Sequence, residues 1–150
     1  MSITVETGDP RAPQAQALLE ASHALMQELF PAESNHYLSV DALCGEDIRF
    51  LVAQDGEQTL GCGAVALKGD YGEVKSMFVA SEARGHGVAN KLMEALIETA
   101  RAEGLKTLKL ETGNSLTAAH KLYEKHGFTY CGPFGDYEDD PLSLFMERPL

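Results

Sequence analysis

Apolar positions along this chain change period several times, and each change marks an element. Ile3 to Thr7 alternates as a short strand, and Gly8-Asp9-Pro10 breaks it. From Pro13 the apolar spacing becomes three and four: Leu18, Leu19, Ser22, Leu25, Met26 and Leu29 form one stripe, predicting a core-facing helix that Pro31 ends. A polar loop with His36 and Tyr37 follows, with no chemistry assigned, and Val40 to Cys44 reads as a helical turn stopped by Gly45. Phe50 to Gln54 and Leu60 to Leu67 are strand-like runs on either side of Asp55-Gly56-Glu57-Gln58, a hairpin signal.

After a turn over Lys68 to Gly72, Glu73 to Val79 alternates, which predicts Glu73, Lys75, Met77 and Val79 on one face and Val74, Ser76 and Phe78 on the other. Val88, Leu92, Met93, Leu96, Ile97 and Ala100 then recur as an amphipathic helix lasting to Gly104, and Thr107 to Leu110 resumes the strand pattern. Strand, helix and strand in that order predict a right-handed crossover with the two strands parallel. Ser115 is positioned to cap a further helix, with Leu116, Ala119, Leu122 and Tyr123 inward and Gly127 as its stop. Phe128 to Cys131 and Leu144 to Glu147 read as two last strands around the loop Gly132 to Pro141. No repeat or linker divides the chain, so residues 1–150 are expected to form one domain.

Charge narrows the partners. With 23 Asp plus Glu against 12 Lys plus Arg, the net charge is −11, which argues against a nucleic-acid binder, because such proteins need a basic face to displace phosphate counterions. Three widely spaced cysteines, Cys44, Cys62 and Cys131, form neither a disulfide framework nor a CxxC site, in keeping with a reducing, cytoplasmic setting. No leader pattern and no membrane-length apolar run is expected. No metal is expected either, since the histidines lack acidic partners at ligand spacing; His120 and His126 read as surface residues of a helix.

The sharpest local signal is Arg84-Gly85-His86-Gly87-Val88-Ala89, between a strand and a helix. Glycines there let backbone approach a ligand, and the unpaired first-turn N–H groups favour an anion such as a pyrophosphate. A Walker loop is absent, because Asn90 stands where its second glycine belongs; a dinucleotide fingerprint fails at the same residue, in place of its third glycine.

Arg84, Gly87 and Ala89 fill the acetyl-CoA pattern [QR]-x-x-G-x-[GA], and Ala119, Leu122, Tyr123, Gly127 and Phe128 fill A-x-x-L-Y-x-x-x-G-F downstream. On these two motifs the chain resembles the GCN5-related N-acetyltransferases. The stretches Lys109 to Gly113 and Tyr130 to Tyr137 are similar to the YsnE-like subgroup. The resemblance implies an α/β (α+β) acyl-CoA N-acyltransferase fold, a mixed sheet of six to seven strands with helices on both faces. It implies acetyl-CoA as cosubstrate, held by Met77, Phe78 and Val79 along the strand and by Arg84, Gly85, His86, Gly87, Val88 and Ala89 in the loop. Many relatives place an asparagine seven residues before the motif tyrosine; this chain has Leu116 there, with Asn114 nearby as the candidate contact.

An ammonium with a pKa of about 10.4 must lose a proton before it can attack a thioester. Glu73 is the first candidate base, directly or through a water, and Glu111 the second. Tyr123 is implied as the proton donor to the leaving thiolate, with the N–H of Phe78 or Val79 facing the developing oxyanion. Acyl relay through Cys62 or Cys131 lacks a neighbouring histidine. The acidic run Asp136, Glu138, Asp139 and Asp140 points to a cationic primary amine of a small molecule or peptide as acceptor. A homodimer through an edge strand fits the fold. A coenzyme A-binding module without catalysis is the alternative, and it would need the loop but neither Glu73 nor Tyr123.

Overall fold

The computed structural model describes residues 2–150. In chain order it contains β1 (Thr4–Thr7), α1 (Pro13–Leu29), α2 (Val40–Leu43), β2 (Ile48–Asp55), β3 (Gln58–Leu67) and β4 (Tyr71–Val79). There follow α3 (Val88–Ala102), β5 (Thr107–Gly113), α4 (Thr117–Lys125), β6 (Thr129–Cys131) and β7 (Ser143–Pro149). The strands form one mixed sheet in the order β1-β2-β3-β4-β5-β7-β6, in which β4 and β5 are the parallel pair joined by the expected crossover. The Asp55-Gly56 hairpin is present, and Gly56 has the positive φ its turn requires.

Two apolar layers flank the sheet. On one face Phe50, Val52, Cys62, Ala64 and Ala66 pack with Ala15, Leu18 and Leu19 of α1 and with Leu43. On the other, Leu51, Val65 and Val74 meet Met93, Leu96, Ile97 and Ala100 of α3, together with Tyr123 and Phe128. The α1 stripe is buried only over its first turns; Leu29, read as a core position, is 46% exposed. Ser115 does not cap α4: Leu116 holds that place, without a side-chain cap. His120 is buried rather than superficial, its Nε2 2.8 Å from Gly113 O, so the ring bridges α4 to the end of β5. His126 is also half-buried, paired with Asn90 of α3 at 3.0 Å.

One departure from the predicted pattern matters for function. The β3–β4 register slips between Cys62 and Ala64: Lys75 lies opposite Ala64, but Phe78 lies opposite Cys62. Three β4 steps therefore match two on β3, a bulge centred on Ser76, whose φ of 57° is left-handed although it is not a glycine. The bulge inverts the alternation beyond it. Glu73, Lys75 and Phe78 share the α1 face, whereas Val79, opposite Gly61, and Met77, whose Sδ lies 3.1 Å from a Cβ built at Gly63, turn to the α3 side. The simple alternation placed Met77 and Val79 with Glu73; the extra residue is why it fails.

Candidate active site

The parallel pairing of β4 with β5 lasts only from Tyr71↔Thr107 to Glu73↔Lys109. Beyond Glu73, among the described residues, no strand pairs with β4 on that side, although both strands continue, β4 to Val79 and β5 to Gly113. The resulting notch leaves backbone N–H and C=O groups available to an extended amide chain. It leads straight into the Arg84–Ala89 loop. There Gly85 (φ 83°) and Gly87 (φ 80°) are both left-handed, and a Cβ built at either meets no atom within 4 Å. Gly87 is the N-cap of α3 and supplies no side-chain cap, so the first-turn N–H groups stay open. Arg84 is exposed above Phe78, its guanidinium 5.8 Å from the ring and its Nε donating to Val79 O at 3.4 Å. An uncapped helix end, two open glycines and an arginine make a suitable seat for a diphosphate.

Substituting Gly87 with valine forces a β-branched side chain into the left-handed region and puts methyl groups where a phosphate would lie. We expect the Gly87→Val variant to bind coenzyme A at least about tenfold more weakly by calorimetry, one tenfold step being about 1.4 kcal/mol. Gly104→Val is the control: its φ is 75° and its Cβ position is equally open, but it lies at the far end of the same helix. It should lower the melting temperature and leave coenzyme affinity unchanged.

On the α1 face beside Glu73 opens a cleft of about 840 Å³, walled by the connection Pro31–Leu38 and by the loop Phe134–Leu142. Glu73, 5% exposed, and Lys75 lie on its floor. Lys75 Nζ donates to Glu73 Oε2 at 3.2 Å, to Tyr137 OH at 3.0 Å and to His36 O at 2.8 Å, which uses all three of its protons. The Tyr137 hydroxyl in turn donates to Glu73 Oε2 at 2.5 Å. Burial and the Glu73 carboxylate push the Tyr137 phenol well above its ordinary range, so it stays a donor. Phe134 is buried against Tyr71, Tyr137 and Phe145 with ring centroids 5.2 to 5.8 Å apart, and this aromatic group fastens the loop. Ser34 adds a 2.6 Å hydrogen bond to Asp140, whose carboxyl is held below its usual range chiefly by that bond. Asn114 donates to Pro141 O and so serves the same loop. Asp136, Glu138 and Asp139 are exposed along the wall.

Glu111, half-buried on β5, has its pKa raised by burial; Ser143, His36 and Lys75 temper the rise and Glu73 adds to it. Tyr123 is buried beneath the opposite face with its ring tilted against Phe128, and burial, with the Glu111 charge, pushes its phenol up to about 12. Glu111 thus connects two of the predicted groups electrostatically, Glu73 on one side and Tyr123 on the other. Cys62 is buried, its thiol pushed up to about 12 by burial and donating to Ser76 O, which makes it a poor nucleophile. Cys131 is half-buried and its thiol is likewise raised by burial. Among the described residues, no group of three or more His, Cys, Asp or Glu is placed to hold a metal, and no helix is long and apolar enough to cross a membrane.

The role of Lys75 as an enclosed counterion and that of Tyr137 were not read from the sequence. The Glu73-x-Lys75 alternation was the available sign of the first; a loop tyrosine 64 residues away left none for the second.

A sheet split at its parallel pair, with an anion seat at the following helix and a carboxylate cleft beside it, defines the acyl-CoA N-acyltransferase class. The chain belongs to the acetyltransferase (GNAT) family, whose model matches residues 15–128. It is 46% identical to the IAA acetyltransferase of Azospirillum brasilense over 151 residues, covering 99% of each chain. It is 38% identical to the uncharacterized N-acetyltransferase YsnE of Bacillus subtilis (strain 168), covering 97% of this chain and 99% of that one. A crystal structure from Klebsiella pneumoniae subsp. pneumoniae MGH 78578, provisionally described as an acyl-CoA N-acyltransferase, superposes with a TM-score of 0.83 at 31% identity, covering 99% of this chain and 97% of that chain. Other structures of the fold hold acetyl-CoA or coenzyme A.

Proposed function

We propose that the protein transfers the acetyl group of acetyl-CoA to a primary amine by direct attack, with both substrates bound together. The observation that carries this reading is the single strand β4, which presents Glu73 to the acceptor cleft at one end and, paired only with β3, leaves its β5 side open along the notch toward Arg84 at the other. Backbone groups of Met77, Phe78 and Val79 hold the pantetheine arm, and the loop from Arg84 through Gly85, His86, Gly87 and Val88 to Ala89 holds the diphosphate. Asn114 is a further candidate contact for the coenzyme, and its side chain also donates to Pro141 O of the acceptor loop. Glu73 takes the proton from the amine as the new N–C bond forms, with Glu111 as the second candidate. Tyr123 gives its proton to the departing sulfur as the C–S bond breaks, and is reprotonated from solvent. Orientation of the two substrates contributes several kcal/mol in well-aligned systems.

Four carboxylates on the cleft wall, Asp136, Glu138, Asp139 and Asp140, support a cationic acceptor, of either a small molecule or a peptide. The three free cysteines agree with a reducing, cytoplasmic setting, and the edge strands β1 and β6 offer a route to a homodimer. The test is acetyl-CoA consumption against polyamines, amino acids, aminoglycosides and peptide N-termini. Turnover with one or more amines supports the reading. Tight coenzyme A binding with no turnover across the panel would favour a noncatalytic coenzyme-sensing module instead.

A further inference from the structure

Glu73 has two carboxylate oxygens in different situations. Oε2 accepts from both the Tyr137 hydroxyl and the Lys75 ammonium, while Oε1 accepts from neither. We propose that Tyr137 is a positioning residue for acetyl transfer: its hydroxyl, supported by Lys75, pins Oε2 and leaves Oε1 as the oxygen that takes the acceptor's proton. The inference rests on Glu73 being the base and goes beyond it, because it makes the base depend on a loop distant in sequence.

Several observations converge on this role. A carboxylate held at one oxygen by two donors has one orientation, and a base acts only when its proton-accepting atom is correctly placed. Tyr137 cannot drift, since its ring lies between His36 at 5.0 Å, Phe134 at 5.2 Å and Phe145 at 5.5 Å. Lys75 cannot bind an anionic acceptor, because its three protons are committed; its task is to balance Glu73 and orient Tyr137. The loop that carries Tyr137 also walls the acceptor cleft, so the wall and the base are set by one piece of chain.

The charged and titratable groups facing Glu73 are Lys75 on its own strand, Lys109 opposite it and Glu111 on β5, His36 and Tyr137 from the two cleft walls, and Tyr71. Only Tyr137 donates an uncharged O–H to the carboxylate among them. Tyr137→Phe removes this donor and keeps the ring in its aromatic setting. With putrescine as acceptor probe, we expect kcat to fall on the order of tenfold. The KM for acetyl-CoA should stay unchanged.

A readout independent of turnover follows tyrosine side-chain carbons by NMR through an alkaline titration, with Tyr137→Phe assigning the signal. In Glu73→Gln the Tyr137 phenol should ionise at lower pH than in the native chain, because the carboxylate that opposes its ionisation is gone. Unchanged kcat in Tyr137→Phe overturns the inference while leaving Glu73 as base, provided that Glu73→Gln is inactive. Full activity in Glu73→Gln removes the base assignment and this inference together. If putrescine is not turned over, the titration decides: an unmoved Tyr137 signal in Glu73→Gln overturns the coupling on which the proposal stands.

Discussion

Tyr123→Phe should lower kcat by roughly a hundredfold or more, the range over which a positioned general acid acts, with the KM for acetyl-CoA close to native. The substitution keeps the ring against Phe128 and deletes only the hydroxyl, so the fold should survive it. The pH dependence is a further check on the donor role, which requires the phenol to stay protonated in the working range. A group that donates a proton must be protonated, and burial raises the Tyr123 phenol to about 12. Tyr123 therefore imposes no alkaline loss of activity until the pH approaches that value, whereas an unperturbed phenol would begin to ionise near pH 10. Steady-state rates from pH 6 to 10 should show no descending limb due to this residue. If Tyr123→Phe turns over at the native rate, the donor assignment fails.

The second large effect is at Glu73. Glu73→Gln should abolish most turnover, again by roughly a hundredfold, and should also destabilise the fold. Lys75, with its side chain 10% exposed, would lose the charge that balances it, and breaking an enclosed ion pair by removing one partner costs about 3 kcal/mol or more. The two consequences can be separated. In Glu73→Gln/Lys75→Met the lone charge is gone, so much of the lost stability should return in a urea titration while turnover stays low. Recovery of activity along with stability would mean that Glu73 serves the structure and not the reaction. Turnover kept in Glu73→Gln but lost in Glu111→Gln would transfer the role of base to Glu111.

Much of the architecture was legible because periodicity reports burial directly. The α3 stripe, the Asp55-Gly56 hairpin and the strand–helix–strand crossover each have a local cause in their own residues. The glycine turn before α3 was legible for the same reason: Gly85 and Gly87 are both left-handed there, a conformation that glycine adopts most readily. The bulge at Ser76 left no trace, because a serine at positive φ is held there by its neighbours and not by its own preference. The enclosed state of Lys75 depends on His36 and Tyr137, residues 39 and 62 positions away, and no local pattern encodes such a meeting. His120 was misplaced for a similar reason: a helix face reads as polar until the partner that covers it, here the end of β5, is known.

The two walls of the cleft beside Glu73 come from connecting segments, Pro31–Leu38 and Phe134–Leu142, while the proposed coenzyme seat comes from the start of α3 and the free edge of β4. The cleft proposed to admit the amine is thus built from chain that carries no sheet pairing of its own over most of its length. On the proposed function, rewriting those stretches should alter which nucleophile is admitted without touching the thioester's berth. On that reading, the choice of guest on one side of β4 can change while the strand's other commitments stay fixed.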